Sequence, residues 1–298
     1  MERRQLEYFV AIVEHGGFTH AARALRVAQP SLSRAIAKLE HELGVELFHR
    51  VGRNAVLSSA GELMADRARL VLRDFDALRA AARAVGAGPV GRVDVAATSS
   101  ALEPVIGVIA ELARRHPGVL VSTSSARSAA EVVALVVRGR CEVGVCGSAE
   151  RPAGPGLVVH HLRDEEFLVV APPGSEIGTG EGIRPGDLKG MRFVVTPPGT
   201  AVRALFDRLA VSVGDVPIAA EVADRSVVLP MVLAGIGAGL MPDGWRDAAD
   251  RAGARVYRFA PPERIPQWLV HRSGPLTAAA QAFAGATLSR AAALVTRT

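Results

Sequence analysis

Apolar residues in the first ninety positions recur at helical spacing. Leu6, Phe9, Val10 and Val13 make a stripe that ends at Gly16-Gly17. A short helix is predicted over Thr19–Leu25, a turn at Arg26-Val27-Ala28, and a second helix from Gln29-Pro30. Pro30 suits the first helical turn, where its missing N–H would have no partner anyway. Leu32, Ile36, Leu39 and Leu43 then supply one buried face, and Gly44 is a stop signal. The opposite face carries Ser31, Ser33, Arg34 and Lys38. Leu47-Phe48 and Val56-Leu57 flank a basic polar tip, which predicts a β-hairpin wing. Together these elements predict a three-helix head with a winged helix-turn-helix over residues 1–58.

The next segment, residues 59–85, reads as one long helix. Ser59 with Glu62 fits a capping box, and Ser58 is an equal candidate for the cap. Met64, Ala68, Val71, Phe75, Leu78, Ala82 and Val85 alternate steps of four and three, with charged residues such as Arg69, Arg73 and Asp74 opposite. A sustained seam on an otherwise polar helix predicts pairing with a second copy, chiefly through Met64, Val71, Phe75 and Leu78.

The Gly/Pro-rich stretch 86–91 reads as a hinge. Strand and helix patterns alternate beyond it. Strands are expected near Val93–Ala97, Val119–Thr123, Glu142–Cys146, Leu157–Leu162 and Glu166–Ala171. The alternation repeats with strands at Arg192–Thr196, Ile218–Val222, Ala238–Met241, Ala254–Phe259 and Pro266–Val270. Helices fall between, and an Ala-rich helix closes the chain from Leu276 to Leu294. This order implies right-handed crossovers and parallel sheet in two lobes. Lobe I would take residues 92–164 and 267–298, and lobe II residues 165–266. The fold class is thus α + α/β.

Charge adds detail rather than direction. The net charge is +5 over 298 residues, with Lys38 and Lys189 the only lysines. No acidic residue occurs between His15 and Leu39, while Arg23, Arg26, Arg34 and Lys38 are basic. That segregation fits phosphate contact better than the net charge does. Two cysteines make no disulfide framework. The N-terminus lacks a signal-peptide pattern and no apolar run has bilayer-spanning length, so a cytoplasmic protein without a membrane partner is expected.

Enzyme chemistry finds little support. Gly235-x-Gly237-x-Gly239 has the wrong dinucleotide spacing and follows a helix. The histidines show no metal-ligand spacing and no serine sits in a nucleophile elbow, so neither metal nor cofactor is expected. Two rival readings are a cytosolic ligand-binding module and a redox sensor through Cys141 and Cys146. The thiols would lie about 16 Å apart on one extended strand, too far for a disulfide without remodelling.

Many head positions at fixed spacing carry a family resemblance. They include Arg4-Gln5-Leu6, Phe9, Val13, Gly17-Phe18-Thr19, Ala21-Ala22, Gln29-Pro30, Leu32-Ser33, Leu39-Glu40, Leu43-Gly44, Leu47-Phe48, Arg50, Arg53 and Ala60-Gly61. The head resembles that of the LysR-type bacterial transcriptional regulators, and looser runs such as Phe167-Leu168-Val169-Val170 and Ala234-Gly235-Ile236-Gly237 extend the likeness to the C-terminal region. The resemblance implies a dimerising linker helix and a two-lobed effector domain similar to periplasmic binding proteins. It also implies a homotetramer switched by a small metabolite, commonly repressing its own gene and controlling a divergent neighbour. The expected partners are a double-stranded DNA operator, a small-molecule effector and further copies of the chain; RNA polymerase is a protein that such a regulator could contact. Ala28 departs from the Ser or Thr common at that turn.

Matched by position, the DNA-facing candidates are Thr19, Gln29, Pro30, Ser31, Ser33, Arg34 and Lys38, with Arg50 and Arg53 on the wing. Arg34 can pair with guanine or phosphate, Gln29 can meet base edges, and Thr19 is suited to backbone phosphate. The effector cleft is expected at the carboxyl ends of the lobe strands. Thr98, Ser99, Ser100, Ser124, Ser125, Thr200, Arg203 and Ser226 cluster at such ends, with Arg225 nearby. Hydroxyls and helix starts there suit a carboxylate-bearing metabolite, although Ser and Thr also serve simply as helix caps.

Overall fold

The computed structural model describes residues 1–51, 54–83, 88–178 and 182–295. Arg53 and Val85 lie outside the described residues, as do the side chains of Arg50, Ala82 and Ser100.

The head consists of α1 (Arg3–Glu14), α2 (Phe18–Leu25), α3 (Gln29–Leu43) and the hairpin β1 (Phe48–Val51) with β2 (Asn54–Leu57). Leu6, Phe9, Ile12, Leu32, Ile36 and Leu39 form its core. Arg26 ends α2 in the left-handed region at φ 55°, and Gly44 ends α3 there at φ 70°. Phe9 and Phe18 set their rings edge-on to Phe48 at 5.5 and 5.4 Å, so the wing is fastened to the helices by aromatic contact.

Helix α4 (Ser59–Arg83) leaves the wing at once. Ser58 is its cap, and Ser59 is already helical: Ser58 Oγ accepts from Gly61 N at 3.0 Å and donates to the Glu46 carbonyl at 2.6 Å. The first half of the seam turns inward. Met64, Ala65, Ala68 and Leu72 pack on the head core, because α1 lies against α4 there. Val71, Phe75 and Leu78 stay exposed at 39%, 43% and 68%. Ala68 is thus buried in its own head and Met64 partly so, while the later seam residues Val71, Phe75 and Leu78 are more open.

The rest of the chain builds one eight-stranded sheet. Its first portion runs β3 (Gly91–Thr98), α5 (Leu102–Arg115), β4 (Val119–Ala126), α6 (Ala129–Val137), β5 (Val143–Gly147) and β6 (Leu157–Ala171). The second runs β7 (Phe193–Val195), α7 (Ala201–Val213), β8 (Ile218–Glu221), α8 (Val228–Leu233), β9 (Ala238–Pro242) and α9 (Arg246–Arg251). The chain returns through β10 (Arg255–Arg272) and ends in α10 (Ala278–Val295). The strand order is β4-β3-β5-β10-β6-β9-β7-β8.

Two pairs of expected strands are single long strands. Leu157–Leu162 joins Glu166–Ala171 in β6, and Ala254–Phe259 joins Pro266–Val270 in β10. The polar residues between them resemble loops only because the ribbon is leaving one core for another. Arg163 and Glu165 form an ion pair there, with Glu165 buried, and Pro266 faces Asp164 across the ladder. Helix α9 has too short a pattern to be anticipated.

Each half has its own core. Val93, Val105, Leu112, Val143 and Phe283 fill lobe I, where α10 closes over α5. Phe167, Phe193, Val202, Phe206 and Leu240 fill lobe II. Strand directions decide how the halves face. Strand β5 is antiparallel to β10, and β10 to β6, so β5 runs with β6 toward lobe II. Strands β3 and β4 are parallel to β5. Strand β9 is antiparallel to β6, and β7 and β8 are parallel to β9, so all three run toward lobe I. The carboxyl ends of both parallel sets therefore point at one another.

Candidate functional site

The first site is the outer face of the head. Thr19, Gln29, Pro30, Ser31, Arg34 and Lys38 are exposed, and Ser33 is partly buried. The same periodicity that buries Leu32, Ile36 and Leu39 leaves these polar residues outward. No side chain caps α3, since Ala28 stands at its N-cap. Among the described residues Arg34 is held only by a long contact from Nε to the Pro30 carbonyl, 3.4 Å, so its guanidinium is available. Lys38 is engaged: its ammonium donates to Glu2 at 3.1 Å and lies 3.9 Å from Glu42. The bond to Glu2 raises its pKa, so Lys38 stays charged and must exchange partners to meet a phosphate. Backbone pairing sets Arg50 opposite Ala55 in the wing.

The second candidate region is where the carboxyl ends of the two parallel strand sets face one another, which we refer to as the crevice. In lobe I, β3 feeds α5 on one face and β4 feeds α6 on the other; in lobe II, β7 feeds α7 and β8 feeds α8 in the same way. Crevices at such switch points are where open α/β sheets bind ligands. Thr98 stands at the end of β3, where its Oγ1 accepts from Gly147 N at 3.1 Å. Ser99 and Ser125 are exposed.

Several predicted site residues are committed to the fold. Thr200 caps α7 by accepting from Arg203 N at 3.1 Å, and its hydroxyl lies 2.6 Å from that of Thr196. Ser226 Oγ donates to Asp224 Oδ1 at 2.7 Å. Arg203 donates to Asp207 at 2.8 Å and to Glu221 at 2.7 Å, bonds that hold its pKa above the usual value. Ser124 is displaced from the crevice altogether. It lies two residues before the end of β4 and lines a cavity of about 1080 Å³ beside α4, with Arg73, Asp94, Arg140 and Glu142. Arg225 differs from Arg203: dense packing pushes its guanidinium down to about 10.

Arg73 belongs to that cavity, although the sequence pattern places it on a solvated face. Its Nε donates to the Gly139 carbonyl at 2.8 Å, and its Nη2 to the Arg140 carbonyl at 2.8 Å and to Asp94 at 3.3 Å. Its Nη1 lies 3.4 Å from Glu142. Arg272 reaches Asp74 at 3.2 Å beside it. This latch fixes α4 to lobe I. The available signal is a stripe of mixed charge, Asp66, Arg69, Arg73 and Asp74, opposite the apolar seam.

Burial raises the pKa of Glu142, against the lowering effect of Arg73 and Thr277. A carboxyl with a raised folded pKa favours the fold fully below its unfolded value and loses that contribution as pH rises through the folded one. Arg73→Ala removes the opposing cation, which raises the Glu142 pKa further. The variant should lose about 3 kcal/mol at pH 8, and clearly less at pH 5, in urea unfolding. Equal losses at both pH values would exclude the coupling.

Cys141 and Cys146 are buried free thiols. Burial raises both pKa values, that of Cys146 to about 12. Neither has the low thiol pKa of a reactive cysteine. No helix among the described residues is long and apolar enough to cross a membrane.

Residues 3–62 match the family described as "Bacterial regulatory helix-turn-helix protein, lysR family", and residues 86–292 match "LysR substrate binding domain". The HTH-type transcriptional regulator XapR of Escherichia coli (strain K12) is 30% identical over 242 residues, 80% of this chain and 82% of XapR. A full-length OxyR variant from Pseudomonas aeruginosa shares the fold with a TM-score of 0.77 at 21% identity, over 96% of this chain and 94% of that one. Full-length CbnR, solved with its target DNA, gives a TM-score of 0.65 at 26% identity over 98% and 100% of the two chains. With a helix-turn-helix head and an effector-binding domain both matched, the chain belongs to the LysR family of DNA-binding transcriptional regulators, a family of regulators and not of enzymes.

Proposed function

We propose that this regulator reads its operator through the exposed face of α3 and is switched by a small carboxylate-bearing metabolite held between its two lobes. The DNA contacts would come from Gln29, Ser31, Ser33, Arg34 and Lys38, with Thr19 and the wing arginines on the phosphates. The observation that carries this reading is the exposed guanidinium of Arg34, which makes only a long contact to the Pro30 carbonyl among the described residues, in a stretch from His15 to Leu39 without an acidic residue. Arg34→Ala should weaken operator binding by about 1–3 kcal/mol in a gel-shift titration at fixed salt. Unchanged affinity would remove Arg34 from the interface.

For the effector, support comes from the opposed strand ends, with the starts of α5 and α7 both bordering the crevice, since helix N-termini favour anions. Calorimetry that found only cationic or wholly apolar ligands would refute the carboxylate class. The exposed Val71, Phe75 and Leu78 support a dimer through α4, and a homotetramer would need a second interface. The raised thiol pKa values argue against redox sensing as the switch.

A further inference from the structure

Arg225 opens the 3₁₀ turn Arg225–Val227 that follows β8. It borders a small cavity of about 10 Å³ at the carboxyl end of β7, together with Val195, Thr196, Val202, Phe206 and Val228. Such a volume takes one water-sized group. The walls are mostly apolar, and the side chain keeps only part of its solvent contact. Among the described residues no carboxylate or carbonyl serves it. The neighbouring acids are occupied elsewhere. Glu221 and Asp207 both bind Arg203, and Asp224 accepts from the backbone and hydroxyl of Ser226.

A guanidinium held in apolar packing without a counter-charge works against the fold. Its planar fork of donors matches a carboxylate in two-bonded geometry. The position also fits, because β7 ends at the crevice that faces lobe I.

We propose that Arg225 is the anion anchor of the crevice, receiving the carboxylate of a small monoanionic ligand. This rests on the carboxylate reading of the effector and assigns its charged end to one residue. The cavity takes no more than one oxygen of the anionic head, the other staying at its mouth. The ligand body lies outside it, between the lobes, where the exposed hydroxyls of Ser99 and Ser125 are the lobe I groups at the facing strand ends. Bound at both lobes, the ligand favours their closure. Arg203 is not the anchor, because its donors are already spent on two carboxylates and the Thr196 carbonyl.

The test is thermal unfolding of the full-length protein and of Arg225→Met and Arg225→Lys. Each is titrated with a panel of three- to eight-carbon monocarboxylates and their primary amides at constant ionic strength. Without ligand, Arg225→Met should melt at or above the wild-type temperature, since an uncompensated charge has gone. At least one carboxylate should stabilise the wild type, its amide should not, and its apparent affinity should fall by about tenfold or more in Arg225→Met and by less in Arg225→Lys. A carboxylate that stabilises Arg225→Met as well as the wild type overturns the anchor and leaves the carboxylate reading standing. No carboxylate-specific shift in the wild type overturns both. A ligand-free Arg225→Met that melts several degrees lower, with Arg225→Lys restoring it, makes the residue structural and also overturns the anchor.

Discussion

Gly61→Ala should cost about 3 kcal/mol and abolish operator binding, although it replaces the poorest ordinary helix former with the best. Gly61 is the third residue of α4, and its N–H donates to the Ser58 cap three residues before it. A methyl group there would overlap the Leu47 carbonyl oxygen and come within 2.8 Å of Leu57 Cδ2. The carbonyl cannot yield, because it also accepts from Ser58 N at 3.0 Å and Leu47 is fully buried in the head core. Helix propensity returns about 1 kcal/mol at most. The overlap outweighs it, because backbone on both sides must move. The displaced element is the entrance to the wing, so the Phe48 contacts with Phe9 and Phe18 are lost with it. Urea unfolding and a gel shift check both halves of the expectation. A variant as stable as the wild type would mean that α4 and the wing are not locked at Leu47.

Leu78→Asp should leave each chain folded and yet reduce operator affinity by about a hundredfold or more. Leu78 is 68% exposed in the single chain, and surface substitutions of that kind change stability by only about 0.5 kcal/mol. In a helix pair the same position sits between apolar neighbours, where two facing carboxylates would repel and lose water. Phe75 and Val71, one and two turns before it, would lose their cover together with it. Separated heads lose the effective concentration that linked sites provide, which is worth two to four orders of magnitude, roughly. Sedimentation velocity should report a halved or smaller mass, and the gel shift a weak complex. A variant that kept both the wild-type mass and the wild-type affinity would place the dimer contact elsewhere.

The head was legible because its information is local. Leu32, Ile36 and Leu39 repeat with the helix, Gly44 ends it, and Pro30 begins it. The lobes were legible as alternation, but not as one sheet. The ribbon of β6 and β10 carries Arg163, Asp164 and Glu165 where it passes between cores, and a polar run inside a strand has the composition of a loop. The roles of the crevice residues depended on partners far along the chain. Thr200 and Ser226 were recognisable as possible caps, but Arg203 gave no sign of Glu221, eighteen residues away, nor Arg73 of Gly139 and Glu142. Arg225 stood out in the sequence only as a basic neighbour of the hydroxyl cluster, for a related reason. What distinguishes it is that its neighbours' carboxylates are all engaged with other groups, and only the assembled lobe reveals that.

In the proposed function, α3 selects DNA by sequence on behalf of the two lobes behind it. Sequencing the DNA bound by the protein in cells tests it most directly. A small set of enriched sites near gene starts is expected, sharing a two-fold symmetric motif whose half-sites match the two heads of a dimer, with enrichment lost in Arg34→Ala. Fragments bound without any shared motif, or the same motif recovered at full strength with Arg34→Ala, would contradict it.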